Sequence, residues 1–367
     1  MNMLGVKRDY RAISFALASA ALGVIIMRLI VYFAPLPDET YGQSLCADLL
    51  FSLPTQLLFF LVIPFSIYKF YGKRTFKGVC EFSSAGKFEP YFLLAIPLGV
   101  CVWLTTLGVS SVWQAILSLT GYNSPTSVTP KPESFVFGFF AVDVLLTAVL
   151  PAVCEEFVMR GGVLTTLKKS MGTVGCVVLC AVAFGLFHQN VKQVFYTSLF
   201  GALAAFMTLK TKSIYPAMLM HFTNNFCSVF FDYADDYKWA GVGGLFDGID
   251  FLAAHHAWAL AIVFVCVVGI GVGLVLLIAY MREKRVTDKK KDVIIDSGFD
   301  VTHGRVVLTG EFSEERVQEL EMEKEVFGAD YKAEKYKPTA RELAVIIAAA
   351  VTTALTTIFT YVWGFFY

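Results

Sequence analysis

The stretch LLTAVLPAVCEEFVMRGGVLTTL, residues 145–167, decides how this chain is read. It is apolar for most of its length, yet it holds Glu155, Glu156 and Arg160. A charged side chain at the centre of a bilayer costs about 3 kcal/mol or more. Three of them in one apolar segment need partners or a use. Glu156 and Arg160 are four apart with the acid first, the favourable order on a helix, so each can neutralise the other. Glu155 is turned about 100° away and has no local partner. Pro151, one turn upstream, can kink the helix and open space for water.

The rest of the sequence places this stretch in a membrane. Of 367 residues, 56% are hydrophobic and only 16% charged, against about 25% charged in soluble domains. Mean hydropathy is +0.63. The expected fold is an all-α polytopic membrane protein. Net charge is zero, and no basic run interleaved with aromatics is present, which sets nucleic-acid binding aside. Most of the eight cysteines lie in apolar runs. Cys176 and Cys180 share a helix face, and without a CxxC pair the cysteines read as small buried hydrophobes. Lys7, Arg8 and Arg11 precede an apolar run from Ile13 to Ala34. That run exceeds a signal-peptide core and lacks a small-residue cleavage site, so it reads as a retained helix.

Spanning helices need roughly 20 apolar residues. Candidate spans are 13–34, 45–68, 90–118, 134–156, 171–188, 191–209, 214–231, 257–281 and 342–365, or about 8–9 transmembrane helices. Basic and non-basic connections alternate along this map. Residues 69–89 carry Lys69, Lys73, Arg74, Lys77 and Lys87, and residues 282–291 carry six basic groups. The 232–256 loop has Lys238 against five aspartates. This asymmetry predicts a cytoplasmic N-terminus and 282–341 segment, with the C-terminus outside. Residues 1–133 then form the N-terminal helices, 134–231 a helical core, 232–281 an outer loop and helix, 282–341 a small polar appendage, and 342–367 a last helix. Within the appendage, 293–295 and 305–308 are expected as short strands and 313–327 as a polar helix. No internal repeat supports an inverted-repeat transporter.

Two further spans carry residues that hydrocarbon should reject. Phe184-Gly-Leu-Phe-His188 ends the fifth span, and His221-Phe-Thr-Asn-Asn225 lies within the seventh. Alone, His188 reads as a helix-end residue and His221 with Asn225 as helix–helix hydrogen bonding. Together with Glu155 they form a set suited to hydrolysis. A carboxylate and an imidazole can hold and deprotonate water. An imidazole and an amide can donate to a developing oxyanion. Glu155, His188 and His221 are also an acceptable ligand set for a catalytic zinc, so the cofactor is either none or zinc. No HExxH is present.

These three motifs, Glu155-Glu156-Phe-Val-Met-Arg160, Phe184-Gly-Leu-Phe-His188 and His221-Phe-Thr-Asn-Asn225, make the chain resemble the CPBP superfamily of intramembrane proteases, which includes the CAAX prenyl endopeptidases of the endoplasmic reticulum. EExxxR, FxxxH and HxxxN match in type, spacing and order. The resemblance covers residues 134–231, and the appendage and ninth span lie outside it. It implies that Glu155 is the essential carboxylate, that His188 helps it activate water, and that His221 and Asn225 bind the oxyanion. Glu156 and Arg160 would support the motif helix. The implied partners are a membrane protein or peptide substrate and the lipid bilayer. The chain ends in Tyr367 without a CAAX box, which reads as a processor rather than a lipidated substrate. The alternatives are an ion- or proton-coupled carrier and a non-catalytic immunity or binding protein on the same scaffold.

The span map contains one contradiction. It puts Glu155 at the cytoplasmic end of its span and His188 at the outer end of the next, about 30 Å away. The repair is a deeper Glu155, with its helix covering 142–167 and 134–141 as a lead-in. Elsewhere, Gly269-Ile-Gly-Val-Gly273 reads as close helix packing. His255 and His256 read as interfacial. Asp143 is either a cavity-lining acid or a packing group.

Overall fold

The computed structural model describes residues 3–33, 40–72, 89–122, 131–296 and 338–363. The chain is an all-α polytopic membrane protein. The described residues form α1 (Met3–Phe33), α2 (Tyr41–Tyr71), α3 (Pro90–Leu119), α4 (Phe137–Leu167), α5 (Thr173–Phe187), α6 (Val191–Thr211), α7 (Tyr215–Asp236), α8 (Leu245–His255), α9 (Ala257–Asp296) and α10 (Ala340–Trp363), with no strand among them. Seven of these helices are long and apolar enough to cross a membrane. α5 is apolar but shorter, and α7 carries the polar motif face.

Three helices run through prolines without breaking, α3 at Pro97 and two others that widen around theirs. α2 contains Pro54 and Pro64, and α4 contains Pro151. Both widen locally into π-helical turns, as at Leu150, whose N–H reaches back five residues to the Leu145 carbonyl. Such turns accommodate a missing N–H and often occur at functional sites. α4 is continuous through Gly161 and Gly162 to Leu167, the extent that a deeper Glu155 requires. Its start at Phe137 corrects the proposed lead-in, because 137–141 is already helix.

α5 supplies the other half of the repair. Its 15 residues span about 22 Å at 1.5 Å per residue, short of about 30 Å of hydrocarbon. Measured from the turn that joins α4 to α5, Glu155 lies 12 residues back and His188 15 residues or so forward, about 18 and 22 Å. The two therefore reach similar depths.

Close helix approaches fix this geometry. A Cβ at Gly185 would lie 2.6 Å from the Val194 carbonyl, so α5 can meet α6 only through glycine there. A Cβ at Gly99 would lie 2.8 Å from the Met220 carbonyl, which does the same for α3 and α7. Close approach through small residues is the usual way membrane helices associate. Asp143 is a packing group: the hydroxyls of Tyr41 and Tyr233 each donate to its Oδ2 at 2.5 Å, tying α2, α4 and α7. Lys131 lies 4.3 Å over the Tyr233 ring and pairs with Asp232 and Asp236. Within the α4–α5 turn, Lys169 pairs with Asp9 of α1 at 3.0 Å.

The sequence reading needs correcting at 293–295. These residues continue α9 rather than forming a strand. The expected elements at 305–308 and 313–327 lie outside the described residues. The 232–256 loop also contains α8, which ends at His255.

Candidate active site

Glu155, His188, His221 and Asn225 line one cavity of about 580 Å³. They arrive from three helices: Glu155 from α4, His188 from the end of α5, and His221 with Asn225 from one face of α7. Gln56 of α2, Trp103 of α3 and Tyr196 of α6 complete much of the wall.

The two glutamates have separate surroundings. Glu156 and Arg160 are fully buried, both at 0% exposure. Glu156 Oε1 accepts from Arg160 at 2.9 Å, the pairing the i, i+4 spacing anticipates. The same oxygen meets His221 Nδ1 at 2.9 Å. Glu156 therefore orients His221 as well as neutralising Arg160. The Arg160 guanidinium also lies 4.6 Å over the Phe184 ring and donates to the Gly201 carbonyl. Phe184, the first residue of the second motif, is 5.0 Å from the His188 ring and 5.9 Å from the His221 ring. All three motifs thus join through Glu156, Arg160 and Phe184.

Glu155 is half-buried and faces the cavity. Among the described residues its hydrogen-bond partner is Gln56, whose Nε2 donates to Oε1 at 2.9 Å. The expectation of no local partner holds on α4 itself; the partner comes from 99 residues upstream.

His188 closes α5. Its Nδ1 is 2.8 Å from the Phe184 carbonyl. A carbonyl can only accept, so Nδ1 carries the hydrogen and neutral His188 presents an Nε2 lone pair. The turn that follows is tight. Gln189 takes φ +47°, and the Asn190 side chain caps α6 through the Lys192 N–H.

Asn225 answers a defect made by Pro151. Proline has no N–H for the carbonyl four residues back, which is that of Thr147. Asn225 Nδ2 donates to this carbonyl at 2.8 Å, leaving its second N–H available. Asn225 Oδ1 accepts from Asn224.

Among the described residues no three His, Cys, Asp or Glu side chains converge as a metal-holding group. Glu155, His188 and His221 share a cavity without forming a ligand cluster, and His221 Nδ1 is already engaged by Glu156. The set does not fit a three-ligand zinc centre as it stands.

Sequence reasoning missed two members of the site. Gln56 left only a weak signal, a single amide in an apolar span. Arg28 left a stronger one, a cation inside the first apolar run. It donates to the His188 and Gln189 carbonyls at 3.1 and 2.9 Å.

One cavity inside the helical bundle is thus lined by a carboxylate, two imidazoles and several amides. Residues 137–227 match the family model of type II CAAX prenyl endopeptidase, Rce1-like, and this segment contains all three motifs. The chain is thus a multi-pass membrane protein with a segment similar to that endopeptidase family, in keeping with the CPBP resemblance. Comparison with curated proteins and with solved structures gave no match.

Proposed function

We propose that this protein cleaves a peptide bond of a membrane-associated protein or peptide, with Glu155 and His188 activating water and His221 and Asn225 stabilising the oxyanion. The observation that carries this reading is that all four line one cavity with complementary roles. Glu155 and the His188 Nε2 lone pair are two acceptors for the two hydrogens of one water, which leaves its oxygen lone pair free to attack. Glu155 takes one proton as the oxygen bonds to the carbonyl carbon. The carbonyl becomes an oxyanion, and Asn225 Nδ2 donates to it. Glu155 then passes the proton to the leaving nitrogen as the C–N bond breaks.

His221 has a condition attached. With Nδ1–H committed to Glu156, donation from Nε2 requires the imidazolium form. Glu156 is placed to accompany that charge.

This chemistry uses no metal. By the charge map, the N-terminus and 282–341 face the cytoplasm and the C-terminus lies outside. The substrate is one that enters from the bilayer. The carrier alternative has no repeat to support it, and the binding-protein alternative does not use the polar cavity's complementary donors and acceptors.

The test compares N-terminal peptides by mass spectrometry in membranes making the wild type or Glu155→Gln at equal expression. New termini seen only with wild type are expected, and they identify the bond. Identical termini, with a farnesylated CAAX peptide also left uncut by purified wild type, would overturn the reading.

A further inference from the structure

We infer that Arg28 is a positioning residue for His188, acting from a helix outside the motif-bearing segment. The inference rests on the proposed hydrolytic role of His188.

Arg28 lies in α1, near the end of a span running Lys7–Ile30. Its guanidinium crosses to the α5–α6 turn, some 160 residues away, and donates to two successive carbonyls: Nη1 to Gln189 at 2.9 Å and Nη2 to His188 at 3.1 Å. No carboxylate pairs with it among the described residues. A cation within an apolar span, even close to its end, needs partners, and here they are backbone oxygens at one turn.

That turn needs a clamp for physical reasons. The last carbonyls of a helix have no partner within it and carry the negative end of its dipole. In hydrocarbon there is no bulk water to satisfy them. Gln189 adds left-handed strain, since φ +47° suits glycine far better than glutamine. Such a conformation persists only where its surroundings over-determine it. α1 supplies a second hold, because the fully buried Gln189 side chain donates through Nε2 to the Ala21 carbonyl at 3.3 Å. α10 and α3 hold the chain two residues on: the Val191 N–H donates to Thr360 Oγ1, and Trp113 Nε1 donates to the Val191 carbonyl.

The consequence bears on His188. Its ring is fixed at Nδ1 by a carbonyl of its own helix, so the ring direction follows the backbone of the α5 terminus. Arg28 fixes that backbone at the histidine's own carbonyl. The bidentate fork sets both position and direction, which a single-point ammonium does less well.

The test uses the full chain in lipid vesicles, with Arg28→Gln, Arg28→Lys and Glu155→Gln beside wild type. One arm follows cleavage of an internally quenched farnesylated CAAX peptide. The other follows modification of His188 by diethyl pyrocarbonate, with His221 as internal reference. Arg28→Gln is expected to lower kcat about tenfold or more with KM unchanged, the loss of two charge-assisted hydrogen bonds. Arg28→Lys is expected to recover part of it. His188 should react faster in Arg28→Gln while His221 does not change. Glu155-dependent cleavage with an unaltered kcat in Arg28→Gln would overturn the inference alone. So would unchanged His188 reactivity, or equal loss in the Lys and Gln variants alongside collapse of the fold. Absence of Glu155-dependent cleavage in wild type would instead overturn the hydrolytic reading, and the labelling arm would still decide whether Arg28 fixes the histidine.

Discussion

Glu155 and Glu156 are adjacent in sequence, and their surroundings assign them different work. Glu156 balances Arg160 and holds His221 in a fully buried cluster. Removing its charge leaves Arg160 uncompensated, and breaking such a pair typically costs about 3–5 kcal/mol. Glu156→Gln should therefore lower the thermal stability of the detergent-solubilised protein strongly, whereas Glu155→Gln should barely change it. Glu155 depends on one neutral donor. Gln56→Leu removes a hydrogen bond to a charged group worth about 1.5–3 kcal/mol. The expected result is a 10- to 100-fold loss of kcat by transition-state arithmetic, with the fold retained by circular dichroism. The motif residues were legible in the sequence because charge and spacing on one helix are local properties. Gln56 and Arg28 were not, because what makes them part of the site is contact across 99 and about 160 residues.

Helices meet here through missing side chains. Gly185 faces the Val194 carbonyl and Ser198, so no larger residue can keep α5 against α6. Gly185→Leu should abolish accumulation of folded protein in membranes. Gly138→Ala, where an added Cβ meets nothing within 4 Å, should leave it unchanged. Overpacking in a close-packed interface forces shifts of backbone, whereas open space does not. Element identity was largely readable from apolar length. Its failures have local causes. At 293–295 a Val-Ile-Ile run has strand propensity, but it continues an established helix, and helix propagation overrides a weak local preference. The π-helical turns beside Pro54 and Pro151 carry no residue signature beyond the prolines. Asn225 could not have been matched to the Thr147 carbonyl without knowing that α7 lies beside α4.

Across the whole molecule, polar contacts tie the bundle near its ends as well as beside the cavity. Where α4 begins, Asp143 gathers Tyr41 and Tyr233 from two other helices. Each Tyr→Phe substitution removes one charge-assisted bond, so Tyr41→Phe and Tyr233→Phe should each reduce stability by about 1.5–3 kcal/mol. Because both hydroxyls donate to one oxygen, each bond strengthens when the other is lost and only the double variant leaves Asp143 without either donor, so it should lose more than the sum. Thermal unfolding of the four proteins measures the coupling. The proposed chemistry makes a further demand at this scale. Dialysis against a strong chelator, followed by activity measurement, should leave peptide cleavage unchanged, and restoration by added zinc would contradict it. The seven helices long enough to span were readable as apolar runs. Their relative depth was not, because it depends on which helices fall short.

The shortness of α5 bears on the lipid around it. Val174, Val178 and Val182 form an exposed stripe on a helix about 22 Å long. Hydrophobic mismatch of this size is relieved by thinning the bilayer beside the helix. A thinned patch brings headgroups and water towards His188, and a substrate segment arriving there can leave its helical form with less loss of backbone hydration. Lipid chain length then becomes a control on the reaction: vesicles of longer acyl chains should slow cleavage, and vesicles of shorter ones should speed it, with no change in the protein.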